Sequence, residues 1–143
     1  MKGNKLVLKD LPANSKWCDK DHVMLLACFQ LLVDFVEKEK PQKFVDFVHD
    51  KNQRLQWKEI LALRKYWKKD RPAMEKEITK VRLKWGRSRK TRMEPAGKNL
   101  VREVVLHEDR RAWNQLRRLE DRFEKKEDEM LGRLIGIRKH LWC

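Results

Sequence analysis

Apolar residues recur every three or four positions over most of this chain, which is the period of an α-helix. The densest block is Val23–Val36, fourteen residues with only Gln30 and Asp34 as polar interruptions. A helix apolar on nearly every side belongs at the centre of a bundle. The pattern predicts it from about residue 20 to 40, opened by Asp19 or Asp21 and ended by Pro41. Upstream, residues 1–16 read as a short extended arm or strand stopped at Pro12. Phe44, Val45, Phe47 and Val48 suit a second short helix or turn. Leu55, Ile60, Leu63 and Trp67 mark one face of a helix over about 55–69, widened by Trp57 and Leu61. The "DRP" at 70–72 predicts a break, with Pro72 in the first turn of the next helix. That helix, about 73–85, carries Met74, Ile78, Val81 and Trp85, and Gly86 suits its C-terminal stop.

Residues 87–98 have no apolar period and contain Pro95 and Gly97, so they read as a loop. From about 98 to 143 the pattern is helical again. Leu116, Leu119, Phe123, Met130, Leu134, Ile137 and Leu141 form a heptad-like stripe, with a polar interruption at Lys126–Glu127. The expected fold is all-α: a bundle with an apolar central helix, a long C-terminal helix and a short extended N-terminal arm. With 143 residues it reads as one helical domain, 1–143, in which 80–98 is an internal connection.

Composition agrees. The chain is 41% charged, with only 5 Gly and 4 Pro, and Leu, Lys, Arg and Glu are abundant. Three cysteines, Cys18, Cys28 and Cys143, make no disulfide framework and read as reduced thiols. The start "MKGNKLVLKDLP" has no secretory apolar region, and Val23–Val36 is too short to span a bilayer, so no membrane partner is expected.

Charge changes the picture most. The net charge is +14, and the stretch "KVRLKWGRSRKTR", 80–92, holds seven basic residues and no acidic one. Half of the excess therefore sits in thirteen residues, a concentration that attracts anions. Lys80, Arg82, Lys84, Arg87, Arg89, Lys90 and Arg92 are the candidate phosphate contacts, with Trp85 available to stack on a base. The alternatives are an acidic protein surface as partner, or a solvated loop with Trp85 in the core. Lys65, Lys68, Lys69 and Arg71 form a second basic patch, which equally fits the wet side of an amphipathic helix. Trp113, flanked by charge and off the apolar stripe, is a candidate interface residue or a core residue in equal measure.

Cys18, His22, His140 and Cys143 have the ligand types of a zinc site, but nothing in the sequence brings the two ends together. No metal or cofactor is expected. The carboxylates of "EKKEDEM", 124–130, spread around a helix among lysines, as a solvated face does. No phosphate-loop, nucleophile-elbow, zinc-protease or dinucleotide motif is present. The expectation is a binding protein without catalysis.

The stretches "HVMLLACFQLLVDFVEKEKP" (22–41), "EILALRKYWKKDRP" (59–72) and "EDEMLGRLIGIRKHLWC" (127–143) resemble small uncharacterised proteins of tailed bacteriophages. The resemblance covers about half of the chain, carries over no catalytic residue, and leaves out 80–92. It implies a phage accessory protein at work in the host bacterial cytoplasm. The functions to expect are binding nucleic acid or a nucleic-acid-associated host enzyme through the basic patch, or inhibiting a host or anti-phage defence protein by docking on an acidic surface. A sponge for small anionic nucleotides and a virion structural component stay open as well. A monomer or small homo-oligomer is expected.

Overall fold

The computed structural model describes residues 6–11 and 19–141. The expected stop at Pro12, most of the N-terminal arm, Trp17, Cys18, Trp142 and Cys143 lie outside them. The protein is mostly helical, with one small two-stranded hairpin. In chain order, α1 spans Lys20–Asp34, α2 Lys51–Lys65, α3 Arg71–Ser88, β1 Lys90–Gly97, β2 Leu100–His107 and α4 Arg110–Ile137. Single wide π-helical turns, Phe35–Glu39 and Tyr66–Asp70, extend α1 and α2.

The chain divides into two compact units. The first comprises residues up to Asp70 together with Glu127 onward, and the second is Arg71–Lys126. The core of the first unit is built on α1. Leu25, Leu26, Phe29, Leu32 and Val33 pack with Phe35 and Val36, with Ile60 and Leu63 of α2, with Tyr66 and Trp67, and with Met130 and Leu134 of α4. Phe29 is fully buried and its ring stacks on Trp67 at 4.4 Å between centroids. Polar groups at the edge of this core are paired. Gln30 donates to Asp34 at 2.8 Å, and Arg64 donates to Glu37 at 2.8 Å. Arg133 forks onto Glu59 with bonds of 2.6 and 2.8 Å.

The second unit has a smaller core of Ile78, Val81 and Leu116, flanked by Trp85, Trp113, Leu119 and Phe123. The heptad-like stripe of α4 thus serves two cores. Leu116, Leu119 and Phe123 belong to the second, and Met130, Leu134, Ile137 and Leu141 to the first. The unit boundary falls at Lys126–Glu127, the polar interruption of that stripe.

Several local expectations are corrected. Residues 44–48 form no helix. A 3-10 turn, Pro41–Lys43, is followed by turns in which Phe44 is 82% exposed. Leu55 and Leu61 are exposed, so Leu55 does not mark the buried face of α2 and Leu61 does not widen it. The "DRP" does not interrupt helical structure: the π-helical turn ends at Asp70 and α3 begins at Arg71. Pro72, the second residue of α3, follows directly on the wide π-helical turn, and π-turns and Pro are the places where a helix changes its bonding pattern. Gly86 does not stop α3, which runs two residues further. Finally, 87–98 is not a loop. From Lys90 it pairs with 100–107 as an antiparallel ribbon. The helical period of the last segment therefore starts at Arg110 and not at about 98. The ribbon turns through Lys98–Asn99, with Asn99 at φ 63, a conformation that Asn tolerates better than most residues.

Candidate nucleic-acid interface

The second unit is where charge accumulates. It holds eighteen Lys and Arg against nine Asp and Glu, a net +9 out of +14. What a basic residue offers an outside anion depends on whether it is already neutralised, and the structure separates the candidates on that basis.

In this unit four of them have acidic partners. Arg71 is buried; it donates to Glu75 at 2.8 Å and its guanidinium lies over the Phe123 ring. Arg82 reaches Glu120 at 2.8 Å. Arg89 forks onto Glu103 with bonds of 3.1 and 2.8 Å and covers the Trp85 ring. That pairing holds the Glu103 carboxyl below its usual range, the Arg89 hydrogen bond being the main cause. Arg92 pairs with Glu94, which also receives Arg102 at 3.4 Å.

Lys80, Lys84, Arg87 and Lys90 are exposed, and none has an ion pair among the described residues. Lys80, Lys84 and Arg87 stand at spacings of four and three on α3, so they share one stripe of that helix. Lys76 extends the stripe by one turn. Ile78 and Val81 turn from it into the core. From Lys76 to Arg87, eleven steps along the helix, the row is about 16 Å long. Lys84 lies near enough to Asp109 to help hold that carboxyl below its usual range, behind the main causes, the Ala112 and Arg111 backbone N–H groups. Asp109 caps α4, accepting from both N–H groups at 3.0 Å.

Both tryptophans of this unit are half-buried. Trp85 and Trp113 lie 4.9 Å apart, and the indole N–H of Trp85 donates to Glu108 at 3.2 Å. Arg117 lies over Trp113. A ring so enclosed is part of the scaffold beneath the basic row.

The other patch is split: Arg71 opens the second unit, and its three lysines belong to the first. Lys65 lies 3.8 Å from Asp70, and Lys68 lies 3.6 Å from Glu37. Lys69 is exposed with no ion pair among the described residues. Arg110, Arg111, Arg118 and Arg122, exposed on α4, were not singled out from the sequence. Their signal was present as the doublets 110–111 and 117–118, but Glu108, Asp109, Glu120 and Asp121 cancel it in any local charge sum.

Among the described residues, no group of three or more His, Cys, Asp or Glu is placed to hold a metal ion. Two of the four residues considered for zinc, Cys18 and Cys143, lie outside the described part. Cys28 is half-buried against the first core, and burial pushes its thiol pKa up. No described helix is long and apolar enough to cross a membrane. No family model, curated protein or solved structure matches the chain.

Proposed function

We propose that the protein is a non-enzymatic binder of nucleic acid, with the row Lys80, Lys84, Arg87 on α3, and Lys90 beside it, contacting the phosphate backbone. One observation carries the reading. Most arginines of the 80–92 stretch are neutralised by carboxylates of the same unit, whereas these four cations are exposed and form no ion pair among the described residues. A row of cations on a helix suits the regular negative charge of a duplex. Arg82, Arg89 and Arg92 serve the unit's own structure, and Trp85 and Trp113 support the row without stacking on bases. The setting is that of a phage accessory protein acting on nucleic acid in the infected bacterium, in line with the resemblance of 22–41, 59–72 and 127–143.

The test is binding of a labelled duplex by anisotropy at several salt concentrations. Four neutralised phosphates give a slope of log K against log salt of about −3.6. Replacing Lys80, Lys84, Arg87 and Lys90 by Ala takes the slope toward zero, while replacing Arg82, Arg89 and Arg92 leaves most of it. If the wild type binds neither DNA nor RNA at low salt, the reading fails and an acidic protein surface replaces it.

A further inference from the structure

The hairpin is built of two unlike faces. Paired residues on adjacent strands share a face, so the register places Thr91 with Val105, Met93 with Glu103 and Pro95 with Val101 on one side. Arg92 with Val104, and Glu94 with Arg102, lie on the other. The second side is a strip of ion pairs. The first is apolar and wet: Met93 is 62% exposed, Val101 64% and Val105 43%. Leu100 at the turn and Leu106, the extra residue where the register shifts, are exposed as well. An isolated two-stranded ribbon is marginal in water, and a third strand or a packed face is what makes one stable.

The two edges also differ. Pro95 takes a backbone donor out of β1, and Lys90 and Arg92 give that strand a net positive charge. Both are devices that discourage further pairing. The other strand, "LVREVVLH", has no Pro, Gly or Lys and five apolar residues out of eight. Among the described residues no other strand pairs with its outer edge, which leaves that row of N–H and C=O groups open. Its two charges are already matched inside the same molecule, Arg102 by Glu94 and Glu103 by Arg89. A strand arriving at this edge therefore buries no uncompensated charge. This holds even for another molecule of net charge +14, which is repelled by most of the remaining surface.

We propose that β2 is a dimerisation edge: two copies of this chain pair their β2 strands antiparallel about a two-fold axis and form a four-stranded sheet. The symmetry is isologous, and it requires facing residues to come from the same side of the ribbon. Centring the axis on Arg102 sets two like charges opposite each other. Centring it on Val104 sets two valines opposite each other, with Glu103 facing Val105 and Arg102 facing Leu106 of the second copy. The Val104 register is the one assigned. The apolar faces of the two ribbons then join into one continuous surface.

Light scattering with size-exclusion chromatography, on nuclease-treated protein in about 0.5 M salt, reads the state without nucleic acid as a bridge. The expected mass is twice the 17.5 kDa of the chain. The variant V104K places two like charges directly opposite each other at the two-fold axis. It is expected to weaken dimerisation tenfold or more, with an unchanged helical circular dichroism spectrum. A single-chain mass for the wild type at about 100 μM overturns the proposal, and so does a dimer that survives in V104K. Independently of that variant's folding, V104C in a chain with its native cysteines replaced by Ser should form an intermolecular disulfide under mild oxidation. A dimer that V104C fails to cross-link overturns the assigned edge and register.

Discussion

Trp85 is the residue at which two readings of the basic stretch diverge. Its ring meets Trp113 in the flank of the second core, its N–H is held by Glu108, and Arg89 covers its face. Removing it should act on stability. A fully buried Trp costs about 3–5 kcal/mol on truncation, so this half-buried one should cost about 2 kcal/mol. The expected outcome for Trp85→Ala is a lower melting temperature, with unchanged affinity of the folded protein for nucleic acid. Single-strand affinity that falls with no thermal effect would instead show a stacking ring. The apolar spacing Met74, Ile78, Val81, Trp85 in the sequence already placed this Trp on the buried side of its helix. Its partners were not legible there, because Glu108 and Trp113 come from beyond the hairpin.

At the scale of elements, the helices are legible from their apolar period and the hairpin is not. The run Val23–Val36 announces a central helix because nearly every turn of it is apolar, and Phe29 is fully buried in its middle. Phe29→Asp should therefore abolish the cooperative melt. An unpaired buried carboxylate costs several kcal/mol out of a total of about 5–15 kcal/mol. The hairpin escaped notice because its strand signal is split. Strand β1 contains Pro95 and ends at Gly97, both loop markers, while "LVREVVL" blends into the helical stripe that follows. A ribbon with both strands largely exposed leaves no alternation of buried and wet positions to find. Among the candidate contacts, position along the helix was legible, but the pairing of Arg82, Arg89 and Arg92 was not, since it depends on which carboxylates the fold brings near. Long-range pairing also decides the link between α2 and the end of α4. The fork from Arg133 holds the Glu59 carboxyl below its usual value of 4.5. A group depressed in the folded state stabilises above its unfolded pKa, and that stability is lost as pH falls through the folded value. Both side chains are about one-third exposed, so the contribution is at most about 1 kcal/mol. Denaturant titrations of wild type and Glu59→Gln should differ by that amount at pH 7, and the difference should shrink as pH falls below the usual glutamate range and vanish once the folded-state carboxyl is protonated.

For the whole molecule, the dominant fact is charge. A net +14 on 143 residues raises the energy of any compact state, because like charges are held closer together than in the unfolded chain. Ion pairs such as Arg133–Glu59 and Arg89–Glu103 work in the opposite direction. Salt screens both, with a Debye length that shortens from about 30 Å at 0.01 M to about 8 Å at 0.15 M. The two effects differ in range. Ion pairs at 2.6–2.8 Å lie well inside either length and lose little, whereas repulsion spread over the surface acts across distances at which screening is strong. The free protein should therefore gain stability on going from 0.01 to 0.15 M salt. A gain of about 1 kcal/mol corresponds to roughly 3 °C in melting temperature for a domain of this size. A polyanion such as duplex DNA should do the same at low salt, by binding the folded form more tightly than the unfolded chain, and its effect should shrink as salt rises because the counterions it displaces become harder to release. Calorimetry of four samples, with and without duplex at the two salt concentrations, reads these effects together. The expected order is lowest for free protein at 0.01 M, higher for free protein at 0.15 M, and a DNA increment larger at 0.01 M than at 0.15 M. A melting temperature of the free protein that falls with salt would mean that the local ion pairs outweigh the global repulsion.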